Sequence, residues 1–334
     1  MTGPTVVAIG GNALVREGET GALDRQLDRA RQVAAPVAAA CARGQAVVLT
    51  HGNGPQVGFI LRRGELVGDE AQVEGLPDLP LWLAVADSQG GMGHILCVAL
   101  DAALKAQGVS SPAAVILTHA VVDPADPAFA DPVKPIGGLL DGTGAQTGAA
   151  RAGWRVRPAA GGRYRRVVAS PAPLCIVEAE HVARLARPGT VVVAAGGGGI
   201  AVTDGPDGPL AVDAVIDKDR SSALLARQIG AGRLVLVTSV PQVVRGFGTP
   251  DARPLARVGV AQLGALAAGG EFDAGSMGPK VEAACGFVQA TGGEAQICDL
   301  AGLAPVLAED QGAVCTRVVP TSSIHSHHPS EETP

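Results

Sequence analysis

Short runs of β-branched residues that end on glycine or a polar residue recur along the chain, at Thr5 to Gly11, Ala46 to Gly54, Ala113 to Val122, Thr190 to Gly199 and Arg233 to Val240. Continuous apolar runs of this length predict strands buried on both faces. Between the first two, Leu23, Leu27, Ala30, Ala34, Val37 and Cys41 recur near helical spacing, so Leu23 to Arg43 reads as an amphipathic helix, bent at Pro36. Further helices are expected from about Ser88 to Ala106 and from Asp219 to Gln228, and late strands at Glu294 to Leu300 and Ala313 to Val319. Strand and helix alternate, which predicts an α/β architecture with a largely parallel sheet. The pattern divides near Leu210 into an N-terminal lobe, 1–210, and a C-terminal lobe, 211–320.

One stretch breaks the rhythm. From Asp123 to Val168 the chain is rich in Pro, Gly and Arg, as in DPADPAFADPVKPIGG and RPAAGGRYRRVV, which inside a compact domain reads as a functional insertion. The tail 321–334 is polar and reads as disordered, with His325, His327 and His328 on a solvated segment.

Composition narrows the class. Of 334 residues, 47% are hydrophobic but only 2% aromatic, so the core is built from Val, Ala, Leu and Ile, which suits parallel strands under Ala-rich helices. The formal charge of −6, without a concentrated basic run, argues against nucleic acid as partner. The six cysteines are scattered, with no C-x-x-C pair, and read as buried hydrophobes of a reducing, cytoplasmic compartment. No stretch of about 18 consecutive apolar residues occurs, so no membrane span is expected, and the N-terminal MTGPTVVAIGGNAL lacks the build of a secretory signal.

Two glycine-rich turns sit at strand ends: Gly10, Gly11 and Asn12, and His51, Gly52, Asn53, Gly54 and Pro55. In a parallel sheet such turns open at the carboxyl edge, and their backbone N–H groups, with a following helix N-terminus, cradle anions. Either turn alone is equally an ordinary tight turn. A third cluster, Gly196 to Gly199, is a close-approach point for a nucleotide or a flexible turn into the next hairpin. Neither a G-x-x-x-x-G-K-[ST] string nor a helix-opening G-x-G-x-x-G occurs, which removes the main support for P-loop and dinucleotide-oxidoreductase readings.

Lysine is scarce, yet Lys134, Lys218 and Lys280 stand in rigid contexts, P-V-K-P-I-G, I-D-K-D and G-S-M-G-P-K. Phosphoryl transfer calls for fixed point charges of this kind, because negative charge spreads over the equatorial oxygens in the transition state. Asp217 and Asp219 flank Lys218, where carboxylates can orient ammonium groups, help to hold magnesium, or cap the helix that follows.

Together the strings GGNAL, THGNGPQVG, DSQGGMGH, VVDPADPAFADPVKPIG, YRRVVASPAP, GGGGI, AVIDKD and GSMGPKVEAA resemble the carbamate kinases of the amino acid kinase family, over roughly Thr5 to Val319. The resemblance implies an open αβα sandwich with a small protruding subdomain at about 123–168, a homodimer, and reversible phosphoryl transfer between ATP and carbamate with Mg2+. It implies a carbamoyl end at Gly10, Gly11, Asn12, Gly52, Asn53 and Gly54 in the N-terminal lobe. Nucleotide contacts fall to Asp217, Thr238, Ser239, Val244 and Met277. Lys134, Lys218, Lys280 and Asp219 take the catalytic roles, with Lys134 on the protruding subdomain. Several positions depart from that pattern: Ser239 and Pro241 stand where acidic residues are common, Val244 and His94 where Tyr is common, and Val133 where Thr is. The first three bear on nucleotide, and His94 and Val133 on acceptor. Two competing readings are a kinase of this fold acting on another small acid, and a non-catalytic sensor of nucleotide or carbamoyl phosphate.

Overall fold

The computed structural model describes residues 3–11, 14–15, 21–67, 75, 77, 79–152, 154–273 and 275–321. The buried runs form an eight-stranded sheet in the order Arg257–Gly259, Thr316–Val319, Glu294–Asp299, Arg233–Thr238, Thr5–Ile9, Val47–His51, Val191–Val193, Ala114–Val115. Every neighbouring pair is parallel except Glu294–Asp299 with Thr316–Val319. Thr5–Ile9 pairs with Arg233–Thr238, so the N- and C-terminal halves meet within one continuous sheet.

Alternate residues of each strand feed opposite layers. Val7, Ile9, Leu49, Val193 and Val235 pack into one core, beneath the helices Leu23–Ala42 and Leu81–Ala106. Val6, Ala8, Val48, Leu234 and Leu236 pack into the other, beneath the helices Lys218–Gln228 and Met277–Thr291. This two-sided burial makes the strands continuously apolar, and each fully buried Val, Leu or Ile contributes about 1.5–3 kcal/mol. Helix Leu23–Ala42 runs on through Pro36. Leu81–Ala106 is long and apolar enough by composition to cross a bilayer, but half of that apolar window is buried inside the protein.

Two expected strands are cut short, one by a side chain from another element and one by its own backbone. Ala113 to Val122 divides because the side chain of Gln89 accepts from Thr118 N and donates to Thr118 O, occupying both backbone groups there. The chain leaves the main sheet and His119–Val122 joins a second, four-stranded one with Ile200–Gly205, Gly208–Ala211 and Pro173–Ile176. Thr190 to Gly199 ends as a strand at Val193. Ala195 at φ 47° and Gly197 to Gly199, all at positive φ, turn it sharply into Ile200–Gly205.

The irregular insertion contains a three-stranded antiparallel sheet, Lys134–Leu140, Arg163–Val168 and Arg155–Ala159 in that order, with helix Gly142–Ala152 against it. Arg166 ties it to the body through Glu65 at 3.4 Å, and lies over the Trp154 ring at 4.6 Å. Gly58 of helix Gly54–Val67 meets Gly137 so closely that an added Cβ would sit 2.4 Å from Gly137 Cα.

Candidate active site

Parallel pairing brings the carboxyl ends of Glu294–Asp299, Arg233–Thr238, Thr5–Ile9 and Val47–His51 to one edge of the sheet. A cavity of about 750 Å3 opens there, where α/β sheets bind ligands. Its floor is the two glycine turns. An added Cβ at Gly52 would lie 2.9 Å from Gly11 N and 3.2 Å from Lys218 Cδ, so only glycine lets the turns and the lysine stem share this space.

Buried polar groups fix the second turn. His51 Nδ1 donates to Gly52 O at 3.1 Å, and burial lowers its pKa to about 4 against that bond, so the imidazole is neutral near pH 7. Asn53 Nδ2 donates to Ser88 Oγ at 2.9 Å, which in turn donates to Val85 O at 2.6 Å. Gly197, at φ +61°, leaves the room: a Cβ there would meet Asn53 Nδ2 at 2.3 Å. The third glycine cluster is thus a tight turn that also contributes Gly197 to the cavity wall.

Opposite the turns lies the charge cluster. Asp217 caps helix Lys218–Gln228: its Oδ1 accepts from Asp219 N at 2.9 Å and Arg220 N at 3.4 Å, satisfying first-turn donors. Its Oδ2 accepts from Lys134 Nζ at 2.7 Å, reaching across from the insertion. Burial raises the Asp217 pKa, but Lys134, Lys218 and the Asp219 N–H together outweigh it and hold the carboxyl well below the usual range. Asp219 is only 3% exposed, with Oδ1 2.5 Å from Lys218 Nζ and Oδ2 3.3 Å from Lys280 Nζ. Lys280 also donates to Ser276 O at 3.2 Å. Burial and then the Lys218 charge depress the Lys280 pKa, against the pull of Asp219. Three ammoniums against two carboxylates leave a net positive field directed at a cavity floored by the two glycine turns, a place for phosphate oxygens.

Of the residues expected from sequence, Gly10, Gly11, Gly52, Asn53, Gly54, Lys134, Asp217, Lys218, Asp219, Thr238, Ser239 and Lys280 line this cavity. Asn12 lies outside the described residues, as do His325, His327 and His328. Val244 and Met277 stand back from it. Val244 pairs with Pro254 in a two-stranded ribbon, and Met277 opens its helix packed on the core. His94 is exposed on helix Leu81–Ala106, and Val133 is 54% exposed; neither lines the cavity. Sequence reading passed over Ser88, which orients Asn53, and Arg29, which lines the cavity and donates to Leu14 O at 3.3 Å. The string DSQGG carried a signal for the first. Nothing local marks the second, because helix Leu23–Ala42 meets the turns only in the fold.

Magnesium has no ready cage: among the described residues no group of three or more His, Cys, Asp or Glu gathers. All four oxygens of Asp217 and Asp219 already accept hydrogen bonds. The donor set fits an ion carried chiefly by nucleotide phosphates and water.

The amino acid kinase family model matches residues 3–299, and the chain belongs to that family. Within it the chain falls with the carbamate kinases. It is 40% identical over 316 residues to carbamate kinase of Pyrococcus horikoshii, covering 94% of this chain and 98% of that protein. It is 44% identical over 292 residues to the carbamate kinase-like protein YahI of Escherichia coli, covering 86% and 91%. Among solved structures, carbamate kinase from Giardia lamblia bound to AMP-PNP superposes with a TM-score of 0.84 at 35% identity, covering 95% of this chain and 98% of that one.

Proposed function

We propose that this chain is an ATP-dependent carbamate kinase, moving a phosphoryl group reversibly between ATP and carbamate. The observation that carries the reading is the cluster of Lys134, Lys218 and Lys280, ordered by Asp217 and Asp219, facing two glycine turns across one cavity. In the direction of ATP synthesis, a β-phosphate oxygen of ADP attacks the phosphorus of carbamoyl phosphate. The new P–O bond forms as the bond to the carbamoyl oxygen breaks, and carbamate leaves to give ammonia and carbon dioxide. Both attacking and leaving oxygens are anionic, so no general base is needed. That suits a site whose carboxylates are committed: Asp217 and Asp219 to lysines, and Asp299 to the backbone N–H of Gly302 at 2.8 Å.

Lys218 and Lys280, held apart by Asp219, neutralise charge on the phosphoryl group in transit. Lys134 reaches the same centre from the protruding sheet, which covers the cavity and excludes water from labile reactants. The 1–210 half holds the carbamoyl end through Gly10, Gly11, Asn12, Gly52, Asn53 and Gly54. The 211–320 half holds nucleotide through Asp217, Thr238 and Ser239, which line the cavity, whereas Val244 and Met277 stand back from it. Mg2+, when bound on the phosphates, supplies further charge neutralisation. The protein works in the cytoplasm as a homodimer, and exposed Val115 and Leu117 at the free edge of the main sheet offer apolar surface for a second copy.

The test is ATP formation by purified protein from ADP, Mg2+ and carbamoyl phosphate. Expected is ATP well above the spontaneous breakdown control; no ATP above that control overturns the reading.

A further inference from the structure

Two fully buried hydroxyls outside the cavity connect its two halves. Thr50 lies in strand Val47–His51, two residues before Gly52, and Ser222 in the second turn of helix Lys218–Gln228, and neither exposes measurable surface. Thr50 Oγ1 and Ser222 Oγ are 2.6 Å apart, and Ser222 Oγ donates to Lys218 O at 2.6 Å. Ser222 has one hydroxyl proton and the Lys218 carbonyl can only accept, so that proton is spent on Lys218. Thr50 is therefore the donor to Ser222. The chain of bonds runs one way, from Thr50 O–H to Ser222 O–H to the carbonyl of Lys218.

The bond from Ser222 returns to the carbonyl four residues earlier, so it engages the backbone of the first helical residue itself. Two residues along the strand from Thr50, the Gly52 backbone leaves just enough space for Lys218 Cδ, 3.2 Å from where a Cβ would stand. Ser221, beside Ser222, donates to Gly198 O at 2.7 Å and fastens the same helix to the third glycine turn. The catalytic lysine is thus anchored at its own backbone to the strand whose end forms the carbamoyl turn.

We infer that Thr50 and Ser222 are positioning residues for phosphoryl transfer, a buried hydroxyl bridge that sets the distance between the acceptor turn and Lys218. The inference rests on the carbamate kinase reading. In-line transfer is steeply sensitive to this distance, and a displacement of about 1 Å can cost on the order of 10²-fold. Neither hydroxyl touches a reactant, so the effect acts through Lys218.

Thr50→Val removes the hydroxyl and keeps the shape, Thr50→Ser keeps the hydroxyl, and Ser222→Ala removes the relay. Expected is a fall of roughly tenfold or more in kcat for Thr50→Val and Ser222→Ala, with KM for ADP near wild type, and recovery in Thr50→Ser. The double variant Thr50→Val with Ser222→Ala should lose little beyond either single, since each breaks the same chain. A readout independent of turnover comes from the scarcity of lysine: with only four in the chain, lysine 13Cε NMR gives a resolvable set. The Lys218 signal should shift in Thr50→Val and return in Thr50→Ser, while Lys105 stays fixed. If Thr50→Val lowers only the melting temperature, leaving kcat and the Lys218 signal at wild-type values, the bridge is merely structural and the inference falls. Wild-type protein that makes no ATP removes the carbamate kinase reading, and the NMR series still decides whether the bridge positions Lys218.

Discussion

At the scale of single residues, the cluster assigns different duties to chemically identical lysines. Lys218 is aligned by Asp219 and by its own backbone, so its value should appear in the transition state more than in binding. Lys218→Ala should reduce kcat on the order of 10²-fold or more, about 2.7 to 4 kcal/mol, with folding checked by circular dichroism. A turnover within about threefold of wild type would remove Lys218 from the mechanism. Lys280 is the site's pH limit. Its pKa is lowered from 10.5, chiefly by burial and by Lys218, so its charge is lost earlier in an alkaline titration than that of a free lysine. While protonated it costs stability, fully below its folded pKa, and the cost is relieved as pH rises toward 10.5. Activity should run the opposite way, because the proposed mechanism needs the charge. A pH profile of kcat should show an alkaline limb, and Lys280→Arg, though slower throughout, should move that limb upward because guanidinium keeps its proton. Asp217 has the mirror linkage: its contribution is present above the unfolded value of 3.8 and is lost as pH falls through its depressed folded value.

At the scale of elements, the strands were legible because burial on both faces leaves an unbroken apolar run, and the eventual boundaries differ by no more than three residues at Thr5–Ile9, Val47–His51 and Arg233–Thr238. The divisions at Thr118 and Ala195 were not legible. One depends on the Gln89 side chain arriving from a helix 29 residues away, the other on a left-handed alanine that no propensity favours. The lysines and glycine turns announced themselves through their rigid neighbours. Thr50, Ser222 and Arg29 did not, because ordinary residue types at helical or strand positions acquire a role only through what the fold sets beside them. The packing of the glycine turns makes an element-level prediction. Gly52→Ala, at a residue whose Cβ would stand 2.9 Å from Gly11 N, forces two turns apart together with the Lys218 stem. It should destabilise by about 1–3 kcal/mol and abolish measurable transfer, read by urea unfolding and by the ATP assay.

At the scale of the whole molecule, the main sheet ends at Ala114–Val115, with Val115 41% and Leu117 48% exposed beside an unpaired edge. If the proposed homodimer covers that edge, light scattering should give twice the chain mass of 33.3 kDa, and Leu117→Lys should give a monomer. A monomeric wild type would locate the function in a single chain. The central place of Thr5–Ile9 has a further effect, felt before the protein is finished. This first strand is flanked on one side by Val47–His51 and on the other by Arg233–Thr238, so its second neighbour is not made until more than two hundred residues later. At ordinary translation speeds the nascent chain carries an open, valine-rich sheet edge for on the order of 10 to 40 seconds at the ribosome exit. Through that interval the strand that leads into the first glycine turn has only one of its two partners, and the exposed edge is a place for a chaperone to act.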